Sequence, residues 1–317
     1  MQLVTSTALS MSTQLAVELG VFDIIAKAGA GAGLSSSQIA AQIGTENPDA
    51  PMMLDRILRL LASHSVLNCT VVNANDDDHS DGPNFQRVYS LAPVSKYFAK
   101  SDEDGVSLGA MMALIQDKVF LDSWFQLKDA VVEGGIPFNR VRGTHAFEYP
   151  GLDPRFNQVL NTAMFNHTTI VIKKILDLYK GFEHLKQLVD AGGGLGVTLS
   201  LITSRYPHIK GINFDLPHVI KDAPSYTGVE HVGGDMFASV PSGDAIFMKW
   251  ILHDWIVPET STAVKSTSQI DVLMMTQSPG GKERSKQEFI ALAAAAGFRG
   301  IRYECFVCNF WVMEFFK

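Results

Sequence analysis

An α/β fold with a mostly parallel sheet, preceded by a small and mainly helical domain, is what this sequence predicts. Three observations carry that prediction. From Leu188 onward, short apolar runs rich in β-branched residues alternate with helical segments, the pattern of a parallel sheet covered on both faces. One of those runs, Leu188-Val189-Asp190-Ala191, empties directly into the glycine-rich string Gly192-Gly193-Gly194-Leu195-Gly196. The first hundred residues, by contrast, carry helix signals followed by two strand-like runs around a polar loop.

The N-terminal elements follow in order. The segment holding Leu9, Leu15, Val17, Leu19, Val21 and Phe22 is apolar nearly all round, which predicts helix buried against another domain or subunit. Ser35 and Gln38 stand at capping-box spacing before Ile39 and Ala40, so a second helix starts there. After Pro51, Leu54, Ile57, Leu58 and Leu61 recur at i, i+3, i+4 and i+7, one apolar face of a third helix. Residues 66–72 and 87–91 read as strands flanking a polar tip over 73–84. Three helices and a hairpin outline a winged helix over residues 1–104.

Charge argues against nucleic acid for that domain. The recognition-helix position offers Arg56 and Arg59 beside Asp55, while the wing carries Asp76, Asp77, Asp78 and Asp81, which phosphate would repel. The whole chain, with 26 basic and 33 acidic residues, has a formal charge of −7, so neither nucleic acid nor an anionic membrane is expected as a partner. Dimerisation or a lid over a substrate is the remaining use.

Three cysteines, Cys69, Cys305 and Cys308, cannot build a disulfide framework, which points to a reducing compartment. Cys305 and Cys308 fall in a strand-like run, where residues three apart face opposite ways. No second pair completes a zinc site, so no metal is expected. Residues 1–25 are apolar but carry Glu18 and no Lys or Arg before Lys27, unlike a secretory signal. A cytoplasmic enzyme is the expectation.

Residues 105–185 read as mainly helical, with a loop around Gly134-Gly135-Ile136-Pro137. Beyond them, strands are expected at 187–190, 210–215, 229–235 and 244–252, with a helix at 197–204. Ligands of open α/β sheets sit beyond the carboxyl ends of the strands. Glycines suit such a place because the backbone takes positive φ there and a ligand approaches main chain closely. Asp215 ends the next strand about twenty residues on, where a carboxylate accepts from ribose hydroxyls. The spacing is G-x-G-x-G rather than the G-x-G-x-x-G of pyrophosphate loops, and Asp190 just before it would repel a diphosphate. An acid there suits the ammonium of an amino-acid-like cofactor, which favours S-adenosylmethionine over NAD. Asp235, Met236, Lys249, His253 and Trp255 crowd the same crevice.

With these motifs in hand, the sequence resembles the plant O-methyltransferases of the caffeate/flavonoid type, class I and cation-independent. The strings LVDAGGGLG, GINFDLPHVI, GVEHVGGDMF, FMKWILHDW, Ser278-Pro279-Gly280-Gly281-Lys282-Glu283-Arg284 and the terminal MEFFK carry the resemblance over nearly the whole chain. It implies a homodimer through an N-terminal winged-helix domain and a Rossmann-like catalytic domain over 105–317. It implies S-adenosylmethionine held by Asp190, Gly192, Gly194, Asp215, Leu216, Asp235, Met236, Phe237, Lys249 and Trp255. By the same resemblance His253 is the general base and Glu283 orients it. The acceptor, a small aromatic, would meet Ile115, Phe156, Leu160, Met164, His167, Leu273, Met274 and Ser278. A histidine that titrates near neutrality suits removal of a phenolic proton, and a carboxylate on its other nitrogen fixes the tautomer.

The sequence departs from the family in three places. After Trp255 the chain runs straight into Ile256-Val257-Pro258-Glu259-Thr260, where the family has a helix, an interior strand and a second base-orienting glutamate. A parallel crossover needs at least about 10–12 residues. The chain also starts inside the first helix, so the dimer arm is shortened. Finally, Ile115, Pro150 and Ser278 replace polar groups of caffeate-type pockets, while Met164-Phe165-Asn166-His167 and the string 256–260 resemble the branch that methylates anthranilate-type amines. Three functions follow: O-methylation of a phenol, N-methylation of an aromatic amine, or a non-catalytic paralogue that binds cofactor or dimerises without turnover.

Overall fold

The computed structural model describes residues 1–73, 85–252, 265–278 and 280–317. The loop expected over 73–84 lies outside them apart from Asn73, as do His253, Trp255 and Pro279. Two compact units emerge, Met1–Gln116 and Asp117–Lys317.

In the first unit α1 (Thr7–Glu18) and α2 (Val21–Lys27) are separate helices. Gly20, at φ +66°, breaks the apolar segment in two, and Val21, Phe22 and Ile25 become core. The short strand β1 (Leu34–Ser35) leads into α3 (Ser36–Ile43), where the reciprocal Ser35/Gln38 capping box is present. In α4 (Ala50–Ser63) Leu54, Leu58 and Leu61 are buried, each worth roughly 1.5–3 kcal/mol of transfer free energy. The strands β2 (Leu67–Asn73) and β3 (Phe85–Leu91) pair antiparallel, and β1 adds to β3, giving the order β1-β3-β2. Tyr89 of β3 is fully buried and donates its hydroxyl to Asp55 Oδ1 at 2.7 Å, pinning the hairpin to α4. A final helix, α5 (Gly109–Ile115), closes this unit, with Ile115 half-buried at its end.

The second unit begins with α6 (Lys118–Trp124), α7 (Leu127–Glu133) and α8 (Pro137–Arg142). The 25-residue α9 (Pro154–Leu178) starts on proline, and Asp153 caps it by accepting from the Phe156 N–H at 3.0 Å. The parallel sheet follows as β4 (Gln187–Ala191), α10 (Val197–Arg205), β5 (Lys210–Asp215), α11 (Pro217–Ile220), β6 (Val229–Gly233) and β7 (Ala245–Phe247). Its order is β6-β5-β4-β7. Leu188, Leu199, Ile202 and Ile209 pack with Ile172 and Ile175 of α9 to form its core. Asp244 accepts from the backbone N–H groups of Lys186 and Gln187 and so fixes the start of β7 beside β4.

Here two expectations are corrected. The strand expected over 244–252 is only three residues long. It pairs with β4 on one side, and among the described residues no strand lies on its other side to extend the ladder. The chain then turns out at Trp250, which holds φ +61°, a left-handed conformation uncommon for a bulky residue. The C-terminal strands β8 (Gly300–Val307) and β9 (Phe310–Phe316), which follow α12 (Lys265–Gln277) and α13 (Lys286–Ala295), form an antiparallel hairpin. They do not complete the sheet edge, however. They make a two-stranded sheet of their own and reach the core only through side chains such as Val307, Phe310 and Val312. With no strand between it and β7, the hairpin has no backbone ladder to join. Cys308 belongs to its turn, not to a strand: Cys308 and Asn309 both hold positive φ, as a two-residue hairpin turn requires.

Candidate active site

The carboxyl ends of β4, β5 and β6 converge on the glycine loop. Gly192 and Gly194 take φ +75° and +57°. Nothing lies within 4 Å of the position a Cβ on Gly194 would occupy, so one face of the loop is open, whereas at Gly192 that position is crowded by Ile251 and Met236. Asp215, at the end of β5, accepts from the Gly194 N–H at 2.8 Å and from the Leu216 N–H at 2.7 Å. Each carboxylate oxygen thereby keeps a free lone pair. Beyond β6, Asp235 accepts from the Phe237 N–H at 2.9 Å; Phe237 itself is 94% exposed and Met236 packs against Val189, Ile212 and Phe214. Lys249, just past β7, is near enough that its ammonium acts on both Asp190 and His167.

Asp190 is turned under the loop rather than out of it. It is 1% exposed, its Oδ2 has no hydrogen-bond partner, and burial pushes its carboxyl up to about 7, against the opposing pull of Lys249 and of a hydrogen bond from Thr198. Beside it on β5 stands Asn213, a residue the sequence reading passed over. Its amide donates to the Gly194 carbonyl at 2.9 Å and to His231 Nδ1 at 3.0 Å. A polar residue between Ile212 and Phe214 in a buried strand was the available signal.

On the acceptor side, Phe156, Leu160, Met164 and His167 share one stripe of α9. Phe156 is fully buried in an aromatic cluster with Phe120 and Tyr149. His167 is covered by two rings, Trp250 and Phe310, and its Nδ1 accepts from Trp250 Nε1 at 3.3 Å. Burial, then the Lys249 charge, hold it down at about 3, so it stays neutral. Leu273 and Met274 are half-buried on α12, which packs on α6 and α8; Ser278 follows that helix. Ile115 belongs to the first unit.

Glu283 is buried in the loop between α12 and α13, where its backbone N–H donates to Asp271 Oδ1 at 2.8 Å. The next residue, Arg284, donates to the Leu252 carbonyl at 2.7 Å and so ties that loop to the segment entering His253. Among the described residues no cluster of three or more His, Cys, Asp or Glu side chains is placed to hold a metal ion.

A glycine loop leaving the first parallel strand, with an acidic residue ending the next, is the nucleoside-binding arrangement of open α/β sheets. Solved structures agree on the fold. Human N-acetylserotonin methyltransferase in complex with SAM aligns at a TM-score of 0.74 with 20% identity, over 96% of this chain and 92% of that one. The pyocyanin biosynthetic protein aligns equally well, at 0.74 and 20%, over 98% and 96%. An O-methyltransferase dimerisation domain matches residues 1–101 and an O-methyltransferase domain matches 124–262. Among curated proteins, catechol O-methyltransferase 1 of Solanum lycopersicum is 54% identical, covering all of this chain and 94% of its own length. Caffeic acid 3-O-methyltransferase of Catharanthus roseus is 53% identical over all of this chain and 94% of its own length; for anthranilate N-methyltransferase of Ruta graveolens the figures are 54%, all and 92%. The chain therefore belongs to the plant S-adenosylmethionine-dependent O-methyltransferase family. Those three alignments run over 347 to 357 positions, against 317 residues here, so each relative carries at least about 30 positions with no counterpart in this chain.

Proposed function

We propose that this chain transfers a methyl group from S-adenosylmethionine to a phenolic hydroxyl of a small phenylpropanoid- or flavonoid-like aromatic, as a cytoplasmic homodimer. The observation that carries the reading is the convergence of Gly192, Gly194, Asp215 and Met236 at one end of the sheet. The residues fit the cofactor. The open face above Gly194 leaves room for it, the spare lone pairs of Asp215 suit ribose hydroxyls, and Met236 offers an apolar wall beside Gly192. When bound, the cofactor supplies an electrophilic methyl on a sulfonium. The protein's task is then to place and deprotonate the acceptor. His253 takes the phenolic proton on a ring nitrogen, and the buried Glu283, tied to the same region through Arg284, orients that ring. The dimerisation unit sets subunit pairing, with neither nucleic acid nor membrane as partner. No single helix among the described residues is long and apolar enough to cross a membrane; α1 and α2 pass that test only together, bent by 58°.

A second reading, N-methylation of an anthranilate-like amine, is favoured by the 54% identity to the Ruta enzyme. Methyl transfer from labelled cofactor to caffeate, catechol and anthranilate, run side by side, separates the two. Transfer to anthranilate alone would overturn the phenolic reading.

A further inference from the structure

The register of the parallel sheet sets three polar residues in a single row. Asp190 of β4 pairs with Asn213 of β5, and Asn213 pairs with His231 of β6, so all three side chains stand on one face, directly beneath the glycine loop. The glycines are shaped by this row. A Cβ on Gly193 would lie 2.1 Å from Asn213 Oδ1 and 2.7 Å from Asp190 Oδ2, and a Cβ on Gly196 would lie 2.8 Å from His231 Cε1.

We propose that Asp190, Asn213 and His231 are positioning residues that hold the glycine loop in its cofactor-binding form through a single proton, carried by Asp190 and donated to Asn213 Oδ1.

The hydrogen bonds fix every orientation in the row. His231 Nε2 lies 2.9 Å from the Pro224 carbonyl, which only accepts, so that nitrogen carries the ring proton. Nδ1 is then a lone pair, and Asn213 must turn its Nδ2 toward it and toward the Gly194 carbonyl. Oδ1 of Asn213 is left facing Asp190 Oδ2. Both oxygens are buried and partnerless, and the two distances to the Gly193 position cap their separation at about 4.8 Å. Two acceptors in that setting repel unless a proton lies between them. Burial already favours the neutral acid, with Asp215 adding to the effect, while the Lys249 ammonium and the Thr198 hydroxyl favour the anion. Ionising Asp190 would set an anion against Oδ1. The other ring neighbour of His231 is Tyr226. The loop is thus anchored while Asp190 keeps its proton.

This inference rests on the reading that the loop binds the cofactor, and its test separates the two. Binding of S-adenosylhomocysteine to the full chain is measured by calorimetry between about pH 6 and pH 9, for the wild type and for Asp190→Asn, whose amide N–H replaces the acid proton. Wild-type affinity should fall as pH rises through about 7, and the variant should bind within about threefold of wild type at the acid end, without that alkaline fall. A variant weakened about tenfold or more at the acid end would mean that an anionic Asp190 pairs with the ligand ammonium, and would overturn the proposal. Infrared difference spectra of the ligand-free wild type, with aspartate isotopically labelled, provide a readout that needs neither binding nor the variant. A carboxylic-acid C=O band that disappears as pH rises through about 7 is expected; absence of the band at the acid end overturns the proposal. No ligand binding together with that band would sink the cofactor reading and leave the row standing.

Discussion

Arg284 donates to the Leu252 carbonyl at 2.7 Å, which binds the loop after α12 to the last described residue of the segment leading to His253. The neighbouring Glu283 is buried in the same loop. If the chain turns over, His253→Gln should lower kcat by about 10²–10⁴, the usual worth of a positioned acid–base group. S-adenosylhomocysteine affinity should stay nearly unchanged. A loss below about tenfold on a phenolic acceptor would reduce His253 to a structural residue.

The cofactor half of the site hangs on Asp215. S-adenosylhomocysteine should raise the melting temperature of the folded chain by mass action. Asp215→Ala removes both the ribose partner and the acceptor of the Gly194 N–H, so the shift should vanish. An undiminished shift in the variant would place the ribose elsewhere.

Acid should destabilise the second unit through His167. Its folded value, about 3, lies below the unfolded value near 6.5, so the unfolded chain binds the extra proton. The contribution is full above about pH 6.5 and is lost as pH falls toward 3, on the order of 2 kcal/mol by about pH 5. His167→Asn should flatten that part of the profile in melts at neutral and at mildly acid pH. A variant as acid-sensitive as the wild type would show that His167 is not the group responsible.

Much of this was legible in the sequence because the signals are local. The Ser35/Gln38 capping box, the apolar face of α4 and the passage from β4 through glycines into α10 each lie within a few residues of their cause. The short β7 was not legible. The apolar run over 244–252 reports burial, but strand length depends on neighbours, and among the described residues β4 alone pairs with it. The left-handed turn of Trp250 against His167 was equally hidden, since it joins residues 83 positions apart. The Asp190–Asn213–His231 row needed the register of three strands spread over some forty residues, which one sequence does not display.

The central claim is that the residues at the carboxyl ends of β4, β5 and β6 serve methyl transfer from S-adenosylmethionine to a small aromatic acceptor. β7, three residues long and half-exposed, pairs with β4 alone among the described residues, so it is the least supported strand of the sheet. Catalytic groups must be held to about half an ångström, so a segment that steadies β7 should favour turnover. The most direct measurement compares methyl transfer to caffeate and to anthranilate by the chain as it stands and by the same chain with a family-like helix–strand segment inserted after Trp255. Transfer to the phenolic acceptor is expected of the first, with a higher rate and better solubility in the second. No transfer by the unmodified chain to either acceptor would contradict the account.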